Sequence, residues 1–305
     1  MRKNIMVLLL MALMLLSAGC GGEDNPDGNE QVELPAEITE MESGLLNIMQ
    51  QADLVPVVLS EQAQPDNGAD EQTNKEAEAE EEETEENEEE PAGEDEAAVA
   101  QVNELTFEET ILSEVLEKEG DAVDATDEEE LPESTEIIWD NIKETVAELH
   151  NHWSELEPLL VEENITQDVI NNFEEGLDNL TVYITERDYF GTMDAANQLT
   201  NPLSKFMVPF AENIISLTHE LKFHIRNIVL QAARENYAGA QESLDYIKEQ
   251  RPDLSKELDE AEFRELEMSL DNLQRVLDKQ NLDLVILNAA VVMENMVQII
   301  ESTEE

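Results

Sequence analysis

The chain has 305 residues, with 75 Asp and Glu against 16 Lys and Arg, a formal net charge of −59 and one Cys. One thiol has no partner within a chain, which excludes an internal disulfide scaffold. So few cations provide no cluster for phosphate recognition, and no nucleic acid is expected as a partner. Hydrophobic residues make up 41% and aromatic residues 4%: enough to build a core over part of the chain, but without the repeated long apolar runs of a polytopic membrane protein.

The first element is a signal sequence. Met1-Arg2-Lys3 is basic, Ile5 to Leu16 is apolar, and Ser17, Ala18 and Gly19 are small. This is the charge, apolar core and cut-site order of a secretory signal, and the apolar run is too short to span a membrane comfortably. The ending Leu16-Ser17-Ala18-Gly19-Cys20 resembles the lipobox of bacterial lipoproteins, over about the first twenty residues. The resemblance implies cleavage before Cys20 and a diacylglyceryl group on its thiol, making Cys20 the lipid attachment site and the membrane a partner. The other readings of these residues are an ordinary signal peptide with an incidental Cys, or an uncleaved anchor. Two acyl chains anchor stably where one does not. The expected location is extracytoplasmic, on the cell membrane or outer membrane. The mature chain loses Arg2 and Lys3 and carries −61. Gly21 is not the Asp that resembles an inner-membrane retention signal.

Residues 20–97 are expected to form a disordered acidic tether. Lys75 to Glu96 is nearly pure acid; such a block cannot bury enough apolar area to offset its ordering entropy, and it repels itself into extended forms. It reads as a spacer lifting a domain off the membrane, or as a low-specificity arm for cations or a basic partner. No EF-hand register is present. One apolar island interrupts it, Leu45 to Leu59, broken at Pro56. It reads as a transient helix from about Glu37 to Ala52 or as a segment docking on the domain or a partner. Residues 98–133 are expected as an amphipathic helix with Leu105, Leu112, Val115 and Leu116 on one face, stopped by Gly120 and followed by an acidic loop.

From residue 134 to 305 the apolar pattern turns to period 3.6, predicting an all-α antiparallel bundle. Ser134 or Thr135 caps a helix bearing Ile138, Trp139, Ile142, Val146, Leu149 and Trp153, ended near Pro158. Thr166 caps the next, with Ile170, Phe173, Leu177, Leu180 and Ile184. Another starts near Asp188, disturbed by Pro202 and Pro209. Helices over about 210–235, 237–250, 259–279 and 283–300 complete the domain. Trp139 to Leu156 aligns with Tyr237 to Leu254 at a shift of 98, and Leu177-Asp178-Asn179-Leu180 with Leu270-Asp271-Asn272-Leu273 at a shift of 93. This predicts two tandem three-helix repeats, 134–204 and 237–301, linked by the helix 210–235. They would pack as one bundle or stack as a short solenoid. The region is itself acidic, with 12 Lys and Arg against 35 Asp and Glu, a surface suited to high salt, high pH or a cationic partner.

Catalytic, metal and cofactor residues are not found. His150 and His152 are two apart on one helix and diverge; His219 with Glu220, or His224, could meet His150 across a bundle, and surface His is the ordinary reading. No Glu-x-x-His pair, Gly-x-Ser-x-Gly elbow, P-loop or Rossmann pattern occurs. Acids are too numerous for a carboxylate pair to carry meaning. Trp139, Trp153 and Tyr237 read as core anchors, and Met193, Met207, Met268, Met293 and Met296 as packing. Asn179 and Asn272 tie helix ends or share a groove. The expectation is a lipid-anchored helical protein, not an enzyme, with a structural or interaction role at the cell envelope and an envelope protein or cations as candidate partners. The alternative is a solute- or cation-binding lipoprotein with a groove between the repeats.

Overall fold

Apolar residues three and four apart build amphipathic helices throughout the computed structural model, which describes residues 34–63, 110–120 and 131–304. The described residues are helical and contain no strand. The helices are α1 (Ala36–Asp53), α2 (Val55–Ala63), α3 (Ser113–Glu119), α4 (Thr135–Glu162), α5 (Gln167–Glu186), α6 (Tyr189–Met207), α7 (Asn213–Ala233), α8 (Tyr237–Glu249), α9 (Arg251–Glu257), α10 (Glu260–Leu277) and α11 (Leu282–Glu304). Together they form an all-α bundle.

The apolar island of the expected tether is part of the core. Ile38, Met41, Leu45, Ile48, Met49 and Ala52 of α1 are fully buried, on one stripe of the helix. They pack between α4 and α6. The tether expected over 20–97 is therefore interrupted by folded structure from 36 to 63. The physical reason is that the apolar stripe of α1 finds a matching groove, and the two acids buried with it, Glu42 and Asp53, find partners there. Pro56 sits at the start of α2, past the turn at Leu54, where a missing N–H costs nothing. Of the amphipathic helix expected in 98–119, the described part is α3 with its lead-in. Leu112, Val115 and Leu116 are buried there, and Gly120 ends it with φ 82°. The acid-rich residues 64–109 and Leu105 lie outside the described residues.

Two sets of helices have the same neighbours. In the first, α1 packs on α4 and α6, and α5 packs on the same two helices. In the second, α7 packs on α8 and α11, and α10 packs on those two. The two sets meet through α6 against α7, while α3 lies against α11. Turns at the 93-residue shift are alike. Arg187 and Gln280 are both left-handed, with φ of 57° and 53°. The next residues, Asp188 and Asn281, each accept a hydrogen bond from the backbone N–H three residues on, at 2.9 Å. These caps satisfy donors that a helix start leaves free. Leu177 and Leu270, Leu180 and Leu273, and Ala196 and Ala289 are all buried.

Several boundaries differ from the sequence expectation. Pro158 does not end α4, which continues to Glu162. A proline removes its own N–H, but residues after it still bond to earlier carbonyls, so one further turn forms. Pro202 lies inside a continuous α6. The helix expected from 210 begins at Asn213, after the turn that contains Pro209. Helix α11 is apolar enough over Leu282–Thr303, at a mean hydropathy of 1.5, to cross a membrane. Here it is a core helix, packed against α7, α10 and α3.

The core of the first set centres on three rings from three helices. Trp153 lies 4.6 Å from Phe173 and 5.8 Å from Phe206, and the two Phe rings are 5.4 Å apart, within the range where aromatic pairs add to plain burial. Two glycines sit where a neighbouring helix leaves no room for a side chain: a Cβ on Gly44 of α1 would come within 2.9 Å of Leu149, and one on Gly176 within 2.7 Å of Leu199.

Candidate functional site: a buried charge cluster

Residues 219, 222 and 226 are spaced three and four apart, which puts His219, Lys222 and Arg226 on one face of α7. That face points into the bundle. Arg226 is fully buried and Lys222 is 5% exposed. A charge in such a place must be paired and hydrogen-bonded, and the partners come from α1, α3 and α6. Arg226 donates from Nη1 to Glu119 Oε1, from Nε to Asn197 Oδ1 at 2.8 Å and from Nη2 to Thr200 Oγ1 at 2.8 Å. Lys222 Nζ lies 3.1 Å from Glu119 Oε1 and 3.4 Å from Glu42 Oε1. His219 Nδ1 is 2.7 Å from that Glu42 oxygen. Two buried carboxylates thus face two permanent cations.

The electrostatics follow from this balance. Burial pushes the Glu42 carboxyl up, but Lys222, His219 and Arg226 outweigh it and hold the group well below the usual carboxylate range. Glu119 is likewise driven up by burial and by Glu42, and brought below its ordinary value by Arg226 and Lys222. Burial lowers Lys222, and Glu42 and Glu119 raise it past its ordinary value. Each ion is kept charged by its neighbours.

A third buried acid joins α1 to α3. Asp53, fully buried, ends α1 and accepts from the N–H groups of Ile111, Leu112 and Ser113 at 2.7 to 3.1 Å. It also accepts from Ser113 Oγ at 3.3 Å. These are the free donors at the start of α3. Burial raises the Asp53 carboxyl above its ordinary value, and the three N–H donors oppose it.

His224 lies on another face of α7, stacked on Tyr246 with ring centres 4.1 Å apart. Burial, with Lys205 adding, lowers His224 to about 4. Tyr246 donates to Glu220 at 2.8 Å and is pushed up to about 12 by burial, with Glu220 adding. Nearby is an open depression of about 480 Å³ between α6, α7 and α9, lined in part by Lys205, Asn213, Glu220, Gln250, Asp253 and Lys256.

The four histidines are kept apart by different partners. His150 faces Thr181 at 3.2 Å, His152 faces Glu40 at 3.0 Å, and His219 and His224 are placed as above. Among the described residues, no group of three His, Cys, Asp or Glu converges as a metal site. Trp139 and Trp153 are buried anchors, whereas Tyr237 is half-buried and its hydroxyl donates to the Gln280 carbonyl at 3.0 Å. Met193, Met207, Met293 and Met296 are core residues; Met268, expected as packing, is 56% exposed. Asn179 and Asn272 are both on the surface, so no buried groove joins them. Cys20 lies outside the described residues. Sequence reasoning missed the cluster because Glu42, Asp53 and Glu119 are three acids among 75. The available signal was Glu42 and Asp53 lying on or beside an apolar helical stripe. No family model, curated protein or solved structure matches the chain.

Proposed function

We propose that this chain is a lipid-anchored extracytoplasmic protein with a structural or protein-interaction role at the cell envelope. The observation that carries the reading is the Leu16-Ser17-Ala18-Gly19-Cys20 motif, with the chain's single Cys at the position of lipid attachment. The fold is compatible with it. The paired ions of the cluster sit inside the bundle, where they hold helices together and are out of a substrate's reach. The start of α1 at Ala36 leaves about 15 residues after Cys20, which extend to about 50 Å at most. The bundle would then stand close to the membrane and not at the far end of a hundred-residue spacer. The three-helix segments 134–204 and 237–301, one within each helix set, are read as tandem repeats.

A second reading is solute or cation binding in the depression between α6, α7 and α9. Its mixed lining of Lys205, Lys256, Glu220 and Asp253 and its volume, within the range of small-molecule sites, favour it. One experiment separates the two: a native mass spectrum of the mature protein extracted gently from its own membranes. The envelope role predicts a polypeptide beginning at Cys20 and carrying only its lipid. A small molecule at fixed stoichiometry would move the assignment to binding, and no lipid mass on Cys20 would refute the anchor.

A further inference from the structure

The N-terminal helix pair α1–α2 reaches the rest of the described bundle through residues 64–109. This stretch of 46 residues has 20 Asp and Glu against the single Lys75. A connection of that length contributes little to holding its ends together, since closure entropy grows only slowly with length and the effective concentration it confers is in the millimolar range or below. The contacts made by α1 are of another order. Its apolar stripe is fully buried, and Gly44 lets its backbone close on α4 at Leu149. Glu42 meets His219 and Lys222, and Asp53 caps α3 beyond the connection. The rim adds Glu40 with His152 at 3.0 Å and Gln62 donating to the Glu133 carbonyl at 3.2 Å.

We propose that the helical body from residue 110 onward is a receptor for the chain's own segment 34–63, held as a bound helix by noncovalent contacts alone. A break anywhere in 64–109 then leaves the body attached to the segment that follows Cys20. The chemistry of recognition is specific: an amphipathic helix with Ile38, Met41, Leu45, Ile48 and Met49 on one stripe, a carboxylate at Glu42 to balance two buried cations, and a second at Asp53 to cap α3. A neutral or basic residue at 42 leaves Lys222 and Arg226 with one anion between them. Glu40, on the rim, contributes little by comparison. The inference does not need the lipid anchor; its consequence for retention at a membrane rests on that reading.

The test uses the full chain with a specific protease sequence placed at Asn87, cleaved in the native state. At micromolar concentration the two fragments are expected to co-elute from a size-exclusion column at one to one. Tryptophan emission should be unchanged, because Trp139 and Trp153 are buried on α4, the helix that α1 packs against. Separation of the N-terminal fragment overturns the proposal. In the nicked protein, Glu42→Arg is expected to speed release on the order of a hundredfold or more, and Glu40→Ala by less than about threefold. Equal retention of wild type and Glu42→Arg overturns the recognition argument. On the protein's own membranes, cleavage should leave the body sedimenting with the membrane. A body that leaves together with the N-terminal fragment refutes the anchor and supports the receptor contact. A body that leaves alone refutes the receptor contact.

Discussion

Replacing Arg226 by Met removes the cation with the most partners in the cluster. Its side chain is fully buried, and it satisfies Glu119, Asn197 and Thr200 at once. Met fills much of the same volume without charge. Glu119 is then left with Lys222, which also serves Glu42, so two buried carboxylates share one permanent cation. Breaking a buried pair from one side costs about 3–5 kcal/mol. At about 2–4 °C per kcal/mol for a folded region of this size, the melting temperature should fall by about 6–20 °C. The companion change Glu119→Leu carries a similar cost alone. Combined with Arg226→Met it should cost clearly less than the sum, because no orphan charge remains; the coupling should be about 2 kcal/mol or more. Urea unfolding followed by helix signal and by tryptophan emission gives the free energies and checks that both report one transition. A single Arg226→Met cost under about 1 kcal/mol, with no coupling to Glu119, would refute the claim that these charges are desolvated and mutually dependent.

Three further outcomes follow from the same structure. Phe173→Ala, which opens the aromatic centre between Trp153 and Phe206, should cost about 3–5 kcal/mol and alter Trp153 emission; an unchanged spectrum would place Trp153 elsewhere. Asp53→Ala should destabilise the bundle by about 1–3 kcal/mol, since it strands buried backbone donors. Faster hydrogen exchange at the amides of Ile111, Leu112 and Ser113 than at α10 would locate the effect. His224 is held near 4, below its ordinary 6.5, so the folded state favours its neutral form. Its contribution is complete above pH 6.5 and is lost as pH falls toward 4. The shift alone sets a ceiling of about 3 kcal/mol, which partial exposure reduces to about 1–2 kcal/mol. His224→Phe should flatten the stability profile over that window, whereas Glu42 and Glu119, held low, lose their contribution only as pH falls below their ordinary 4.5.

Most helices from residue 134 onward were legible in the sequence because each depends on local information; α9 (Arg251–Glu257) was not, because Pro252 reads as a stop and in the structure sits in its first turn. The stripe from Ile138 to Trp153 and the helix starts near Asp188 and Asp259 depend on residues within a few helical turns; at Asp259 the structure adds a capping box, in which the Glu262 side chain accepts from the Asp259 N–H and the Glu262 N–H donates to the Asp259 side chain. The period of the apolar residues alone sets which face is buried. The alignment at shifts of 98 and 93 is likewise a property of the sequence, and the repeat drawn from it remains a proposal. The motif ending at Cys20 was readable in the same way, since it depends on order along the chain and not on folding.

The role of residues 36–63 was decided only by tertiary structure. As a sequence, α1 is an apolar island in an acid-rich stretch, legible as a helix over about Glu37 to Ala52 but left open between a transient helix and a docked segment. Whether such a helix is bound depends on a matching groove, and the groove is built by α4 and α6, a hundred and more residues away. The buried acids show the same dependence. Glu42, Asp53 and Glu119 are indistinguishable by type from the other acids of this chain. What sets them apart is proximity to Lys222, Arg226 and the start of α3, and that proximity exists only once helices far apart in sequence have packed. Local periodicity specifies a helix and its face; the low dielectric of a packed interior specifies which charges must find one another.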